Sequence, residues 1–550
     1  MKSSVIVLAI LLCSTALVFG QAPDEVVLAD YNASGLYLSD QIAGDTTALG
    51  ARNNPNRTYV LKRDGLYLTI ASIRNNGWPL NIRAEYGPGK KPVIYAFKNP
   101  VTAAYAAQQF DVRANFSIKN VAMVGWAAFV PTDISLMPAR IIQVNGKGFD
   151  IQVDSCLFSG ANGALIQVPS ATHSVIVTNT LFTQWGNLYN SDIGNGRPFD
   201  FRNTSIDTVI IRNCTFTDGT DRIVRHHSSV GGLKLFIFDH NTIVNSLSFH
   251  GCLELGKVGT KVSITNNLFV DNFVLGRDST DDVRLGEFGD ANEKEPNGKN
   301  RMTIVSSVPD SSGQVVPTQW EIRNNYFAAT PAVQSWYDSK SSIGIGSLLP
   351  LTYHINKKLG ADSLVAFKRD TIVFTLSTKN LIPFATWYFD PAGANKSKLN
   401  SNFKASVDYQ RSDWTYYLDT MNLKYSTSRP AYTGADGGQP AGSLMWWSLT
   451  LLGTGTSDKA IAPKEFSLDQ NYPNPFNPST TLNYRIAQAG FVTLKVYDLL
   501  GREVATLVSE TLQPGAYSVR WDASGLSSGV YFSRMESGSY VTMRKMILMK

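Results

Sequence analysis

A degenerate repeat between residues 114 and 330 constrains the fold more than any other feature of this sequence. Each unit alternates apolar and polar residues, passes through a position that is most often asparagine, and ends on an apolar residue. The units span residues 116–123, 151–158, 175–182, 209–216, 236–243, 262–269 and 320–327. The steps between unit ends are uneven, the shortest from 158 to 182 and the longest from 269 to 327. The shorter steps are typical of one coil of a parallel β-helix, and the longer steps indicate coils with inserted loops.

The chemistry of the repeat supports that architecture. The first and third residues of a unit point the same way in a strand, so their apolar side chains can stack into one continuous core. A helix is excluded because the apolar spacing is two and β-branched residues dominate. A propeller remains an alternative, although its blades usually run to about 40 residues. Three positions before each unit ends we predict a bend, with side chains that bond from coil to coil. The residues at this bend are Asn120, Ser155, Asn179, Asn213, His240, Asn266 and Asn324.

The composition excludes several classes of protein. Charged residues make up 17% of the 550 residues and aromatic residues 11%, which excludes a disordered chain and a long coiled coil. The net charge of +6 is too small for this length to indicate a nucleic-acid partner. Four cysteines are too few for a scaffold framed by disulfides.

Residues 1–20 have the features of a secretory signal peptide. Lys2 supplies the positive start, residues 5–19 are nearly all apolar, and small residues precede Gln21. This apolar run is too short to cross a bilayer comfortably, and no later stretch is long enough. We therefore expect an exported chain without a transmembrane segment in its mature form.

The C-terminal segment, residues 466–550, contains four short apolar stretches, at 481–486, 491–499, 517–521 and 530–535. Turn residues separate them, which predicts a small immunoglobulin-like β-sandwich. Four motifs lie among them, at residues 471–480, 497–504, 528–531 and 545–550. In these motifs the segment closely resembles the C-terminal sorting domain of type IX secretion. The resemblance implies the outer-membrane type IX machinery as a partner, and a protein that is secreted or attached to the outer cell surface.

The predicted fold class is all-β: a right-handed parallel β-helix followed by the small sandwich. The predicted boundaries are a signal peptide at 1–20, the β-helix at 25–452, a linker at 453–465 and the sorting domain at 466–550. Residues 65–92 resemble the early coils of secreted, pectin-lyase-like β-helix proteins.

Charged residues after the bends of neighbouring coils suggest a site. Leu253 and Leu255 suit inward positions, which places Glu254 outward. Here the chain resembles chondroitinase-B-like and alginate-lyase β-helix enzymes. These cleave acidic polysaccharides by β-elimination, which needs charge stabilisation, a base and an acid. The resemblance implies that Glu254 binds calcium, that Lys257 is the base and that Arg277 is the acid. Arg225, placed outward like Arg277 on a neighbouring coil, and His227 are predicted to contact the acidic polysaccharide.

Two functions remain open at this point. One is a polysaccharide lyase that acts on a uronate-containing glycan. The other is a non-catalytic cell-surface β-helix protein that binds glycan or serves as an adhesin. The lyase requires Glu254, Lys257 and Arg277 to share one exposed groove, whereas a binding protein does not.

Overall fold

The computed structural model describes most of the chain. The described residues are 24–49, 51–87, 89–125, 138–161, 163–185, 197–202, 204–219, 222–226, 232–248, 252–274, 306–307, 317–341, 363–378, 381–388, 421–447, 449, 466–471, 474–512 and 515–549. The predicted signal peptide (1–20) and linker (453–465) lie outside these residues.

Short strands dominate the chain up to residue 369, as the repeat predicted. In chain order they are β1 (Glu25–Leu28), β2 (Thr58–Leu61), β3 (Leu66–Thr69), β4 (Ile73–Arg74), β5 (Leu80–Ala84), β6 (Val93–Ala96), β7 (Gln108–Val112), β8 (Phe116–Lys119), β9 (Ala122–Val124), β10 (Arg140–Val144), β11 (Asp150–Asp154), β12 (Leu157–Ser159), β13 (Ala164–Gln167), β14 (Thr172–Thr178), β15 (Leu181–Thr183), β16 (Arg197–Arg202), β17 (Ile206–Arg212), β18 (Thr215–Gly219), β19 (Val224–His226), β20 (Leu233–Asp239), β21 (Thr242–Ser248), β22 (Leu253–Leu255), β23 (Lys257–Thr265), β24 (Leu268–Val270), β25 (Phe273–Val274), β26 (Ser306–Ser307), β27 (Gln319–Arg323), β28 (Asn325–Ala328) and β29 (Phe367–Arg369).

These strands form three parallel sheets that run along one axis. Sheet 1 contains β1, β2, β5, β8, β11, β14, β17, β20 and β23, with β26 and β27 both paired to β23. Sheet 2 contains β4, β7, β10, β13, β16, β19 and β22. Sheet 3 contains β3, β6, β9, β12, β15, β18, β21, β24, β28 and β29, and β25 pairs with β21. From β4 to β24 the coils pass through sheets 2, 1 and 3 in turn, which confirms the parallel β-helix.

The core fills the space between the three sheets. The first and third residues of the repeat units face inward, and from Phe116 to Ile264 all of them are buried in one cluster. Phenylalanines on sheet 3 stack along the axis, with ring centroids 5.0 Å apart for Phe158–Phe182 and for Phe182–Phe216. The two-residue period therefore defines the core.

The predicted bend is confirmed between sheets 1 and 3. All seven residues predicted there, from Asn120 to Asn324, have a left-handed backbone with φ between +51° and +61°. Asparagine accepts this conformation more readily than most residues, and here it turns each coil from one sheet into the next.

The coil-to-coil amide ladder differs from the prediction, because most of it lies one residue after the bend. At the bend itself the amide–amide contact is Asn213 to Asn179 (2.6 Å). The following residue points inward, and there Asn241, Asn267 and Asn325 form a buried ladder on successive coils. Asn241 Nδ2 donates to Asn267 Oδ1 (3.1 Å), and Asn267 Nδ2 donates to Asn325 Oδ1 (2.9 Å). The bend residue points away from the core, where carboxylates, other polar side chains or solvent can satisfy it, whereas the next residue points into the core and depends on its ladder neighbours.

Aspartates on the outer edge of sheet 1 link the bends of neighbouring coils. Asp239 Oδ1 accepts hydrogen bonds from Thr265 Oγ1 and Asn266 Nδ2, each at 2.8 Å. Asp154 Oδ1 makes the same pair of contacts with Thr178 (2.9 Å) and Asn179 (2.7 Å). Several bend residues therefore bond to a carboxylate rather than to another amide.

The helices are short and surround the β-helix. They are α1 (Tyr31–Ser34), α2 (Leu38–Ala43), α3 (Pro331–Ser339), α4 (Ser363–Ala366) and α5 (Ile382–Tyr388), with 3-10 turns at Pro430–Thr433, Asp436–Gly438 and Leu444–Trp447. The last turn packs on the outer face of sheet 3, where Leu444 N donates to Asn213 Oδ1 (2.6 Å). None of the helices in the described part of the chain has the length and apolar character that a membrane crossing requires.

The C-terminal domain is an antiparallel sandwich, as predicted. Its strands are β30 (Ser467–Leu468), β31 (Ser479–Ile486), β32 (Gly490–Asp498), β33 (Glu503–Leu512), β34 (Gly515–Asp522), β35 (Gly529–Ser537) and β36 (Tyr540–Leu548). One sheet has the order β30–β31–β34 and the other β33–β32–β35–β36. The inward residues of both sheets form a separate hydrophobic core.

Candidate functional site

Sheet 2 carries a continuous row of polar side chains, which we call the polar row. Its members occupy equivalent positions on seven successive coils: Arg74, Asp111, Gln143, Gln167, Asp200, Arg225 and Glu254. The residue before each of them, from Ile73 to Leu253, lies in the hydrophobic core. Because neighbouring residues of a strand point to opposite faces, the polar row faces away from the core.

Asp111 organises the first part of the row. Its buried carboxylate accepts hydrogen bonds from Arg74 Nε (2.6 Å), Asn145 Nδ2 (2.7 Å) and Arg113 Nε (3.2 Å). Burial alone would raise the pKa of Asp111, but these hydrogen bonds bring it below its usual range. The carboxylate is therefore ionised and holds two guanidinium groups in place.

Asp200 organises the polar row in the same way as Asp111, three coils further along the axis. Arg225 forms a bidentate pair with its buried carboxylate, at 2.9 Å and 2.7 Å, and Arg202 Nε lies 3.1 Å away. Gln167 Nε2 donates to the same carboxylate at 2.8 Å. Burial opposes ionisation, but the charges of Arg225 and Arg197 bring the pKa of Asp200 far below its usual range.

The outer face of sheet 2 has an excess of positive charge in the described part of the chain. Seven arginines lie on or beside the polar row with three carboxylates: Arg74, Arg113, Arg140, Arg197, Arg202, Arg222 and Arg225, with Asp111, Asp200 and Glu254. The side chains of Arg74, Arg113 and Arg202 are 49%, 42% and 46% exposed, whereas the two aspartates beneath them are buried. Each aspartate thus orients cations that still reach solvent.

Glu254 lies at the end of the row, directly opposite Arg225. Leu253 and Leu255 are in the core, so Glu254 faces outward, yet its side chain is fully buried. Its Oε2 lies 2.8 Å from the guanidinium of Arg222, which is also buried. The carboxylate therefore contacts one arginine and neighbours another.

The described residues around Glu254 do not by themselves form a calcium site. Calcium sites need several oxygen ligands, usually including more than one carboxylate. In the described part of the chain, no three acidic, histidine or cysteine side chains come together as a metal group. The described neighbours of Glu254 are cations, so calcium there remains a prediction and no chemical step is assigned to it.

Lys257 begins the next strand of sheet 1, shortly after Glu254, and is half-buried. It lies close enough to His226 to affect its ionisation. Burial lowers the pKa of His226 to about 4, and the ammonium of Lys257 contributes to the lowering. His226 itself is buried and donates from Nε2 to the carbonyl oxygen of Thr204 (2.9 Å), which indicates a structural role.

Arg277 and His227 lie outside the described residues, so their predicted roles remain predictions. The structure brings Arg225 and Glu254 together on one face and places Lys257 at the adjoining corner between sheets 2 and 1.

Most of the polar row, including Asp111 and Asp200, was not predicted from the sequence. A signal for it exists. The sheet 2 strands repeat an apolar–polar–apolar pattern with Asp or Gln at the centre, as in residues 110–112, 142–144, 166–168 and 199–201. This pattern lies between the units of the stronger repeat and is too short to stand out by itself.

The C-terminal domain is characterised by a comparison with known families. Residues 470–549 match the model of the secretion system C-terminal sorting domain. The protein carries a type IX sorting domain. The sorting domain directs export through the type IX machinery of the outer membrane, so the protein is secreted or displayed on the cell surface. No curated protein matches the chain at a significant level.

Proposed function

We propose that the β-helix binds an acidic polysaccharide along the outer face of sheet 2. The proposal is based on the polar row, in which buried Asp111 and Asp200 hold exposed arginines in fixed positions. Successive coils are about 4.8 Å apart, so the row offers two groups of arginines, centred three coils apart on Asp111 and Asp200, to an extended anionic chain. Guanidinium groups match the two oxygens of a uronate carboxylate.

Preorganisation supports this proposal. A free arginine side chain loses conformational entropy when it binds, and an arginine that is already held by a carboxylate loses less. Arg74 and Arg202 belong to the second class, since each makes an ion pair with a buried aspartate and remains about half exposed.

The test is the affinity of the purified full chain for alginate, pectate, chondroitin and dermatan. Replacing Arg74 and Arg202 with glutamine is expected to weaken binding by about tenfold per arginine. Lys234→Gln is the matched control, because this lysine is similarly exposed but lies on sheet 1 and pairs with Asp207. Equal losses in the control and the double variant, or no affinity of the wild type for any acidic glycan, would refute the proposal.

Polysaccharide lyase activity is the second candidate. It is favoured by the position of half-buried Lys257 beside Glu254 and Arg225, at the end of the polar row. In β-elimination a base removes the C5 proton of the uronate, a C4–C5 double bond forms, the C4–O bond breaks, and an acid protonates the leaving oxygen. We assign the base to Lys257 and the acid to Arg277.

Product formation tests this candidate separately from binding. Incubation with an acidic glycan that the protein cleaves is expected to increase the ultraviolet absorbance of the unsaturated uronate. Parallel reactions with calcium and with a chelator test the predicted need for calcium. Lys257→Ala is expected to lower the rate by about a hundredfold or more. Lys261→Ala is the control, because Lys261 is on the same strand but pairs with Glu321 on sheet 1. Binding without any absorbance change would leave the protein a non-catalytic glycan binder.

A further inference from the structure

The motifs of the sorting domain meet at one end of its four-stranded sheet. Strand pairing places Asp498, in the turn motif, opposite Tyr531, and it places Gly529 opposite Leu548 near the C-terminus. Segments that other strands separate in the sequence therefore form one continuous surface.

This surface is apolar on the side that faces away from the domain core. Val492, Leu494 and Val496 point inward, so the odd-numbered residues of β32 point outward. On the outer face Tyr497 lies directly opposite Phe532, and Val530 lies directly opposite Ile547. All four of these outer side chains are partly exposed.

Two leucines extend the surface beyond the strand ends. Leu499 and Leu500 form the tip of the β32–β33 turn, and they are 71% and 76% exposed. We call Tyr497, Leu499, Leu500, Val530, Phe532 and Ile547 the end patch. Single exposed apolar residues are common on protein surfaces, but a group of six at one end of a sheet indicates an interaction site.

The turn that carries the leucines is held in one conformation. Asp498 Oδ1 accepts from the backbone nitrogens of Leu500 (2.9 Å) and Arg502 (3.0 Å), and Asp498 Oδ2 accepts from Arg502 Nε (2.7 Å). Gly501 supplies the positive φ of +78° that the turn requires. The leucines are therefore presented at little conformational cost on binding.

We propose that the end patch is the surface by which the outer-membrane export machinery holds the sorting domain. The inference depends on the sorting-domain match and not on the glycan proposal. The border of the patch carries both signs of charge: Lys545 lies opposite Phe532, Glu503 lies opposite Tyr497, and Arg502, beside the leucines, pairs with Asp498. The complementary partner surface is an apolar cleft that accepts Leu499 and Leu500.

The experiment uses the full chain in a host with working type IX export, and it measures the fraction that reaches the surface or medium. Replacing both Leu499 and Leu500 with serine removes two apolar contacts that docking buries. This is expected to weaken docking about a hundredfold and to lower export about tenfold or more. Phe491→Ser is the matched control. Phe491 lies on β32, on the same outer face as Tyr497, and it is 57% exposed but at the opposite end of the strand.

A thermal melt of each purified variant separates docking from folding. Both variants are expected to unfold within a few degrees of the wild type, since all three side chains are exposed. Asp498→Ala keeps the leucines but loosens the turn, and it is expected to give an intermediate loss of export.

Three results would overturn the proposal. These are normal export of the double serine variant, an equal defect in Phe491→Ser, and a change in oligomeric state with unchanged export. The last of these would show that the patch contacts a second copy of the chain.

Discussion

Replacing Asn267 with alanine is expected to lower the free energy of unfolding of the β-helix by about 4 kcal/mol or more. Asn267 is fully buried in the ladder between sheets 1 and 3. Its Oδ1 accepts from Asn241 N (2.8 Å) and Nδ2 (3.1 Å), and its Nδ2 donates to Asn325 Oδ1 and to Phe238 O, both at 2.9 Å. Alanine removes these four buried hydrogen bonds. Asn241 Nδ2 still donates to Ile211 O and Asn325 Oδ1 still accepts from the backbone nitrogen of residue 267, but Asn241 N and Phe238 O lose the amide in a place that bulk water does not reach at low cost.

Asn267→Thr is the graded comparison in a urea titration. Thr180 occupies the same ladder position on another coil, where its hydroxyl accepts from Cys156 N (3.2 Å) and donates to Thr178 O (2.8 Å). Threonine at 267 is therefore expected to recover part of the loss. If alanine and threonine both unfolded at the wild-type midpoint, the ladder would not contribute to stability.

Replacing Asp200 with alanine is expected to cost about 4 kcal/mol, because it leaves cations without their anion in a buried position. Arg197 is as buried as Asp200, and Arg225 loses both of its hydrogen bonds to the carboxylate. The same change is expected to weaken binding of an acidic glycan. Although it removes a negative charge, it also removes the group that orients Arg202 and Arg225.

Asp207→Ala is the matched control for that experiment. Asp207 also forms an ion pair, with Lys234, but both side chains are about half exposed on sheet 1. Its loss is expected to cost less than about 1 kcal/mol and to leave glycan binding unchanged. A similar cost for the two aspartates in chemical denaturation would mean that the Asp200 cluster is no more than a surface ion pair.

The repeat predicted the architecture of sheets 1 and 3, because their inward residues must be apolar on every coil. It also located the bend, where the backbone needs a positive φ at all seven predicted residues. It did not locate the buried ladder, since cysteine or threonine occupies the ladder position on several coils, as at Cys156, Thr180 and Cys214. Both residue types can serve there, so the position has no single signature.

The candidate site was predicted only at its end. Glu254 was placed on the outward face because Leu253 and Leu255 suit inward positions, and in the structure it lies directly opposite Arg225. Arg74 is fixed by Asp111 on the next coil of sheet 2, a contact that no local pattern reveals. An arginine that stays exposed above a buried carboxylate depends on contacts between coils, and these contacts exist only in the folded sheet.

Export and glycan binding are consistent with one another. The sorting domain brings the protein to the outer surface or the medium. The proposed glycan partner must therefore be extracellular, and a cationic face on a chain of small net charge attracts an acidic glycan at low ionic strength.

Glycan binding along the polar row is tested most directly by arginine-selective chemical labelling of the full chain. The labelling is read by mass spectrometry, with and without alginate or another acidic glycan. Slower labelling of Arg74, Arg113 and Arg202 in the presence of the glycan is the expected result. Arg323 is the internal standard, because it is 42% exposed on sheet 1 and is also held by carboxylates. Protection of Arg323 to the same degree, or a bound glycan that protects none of the three sheet 2 arginines, would contradict the account.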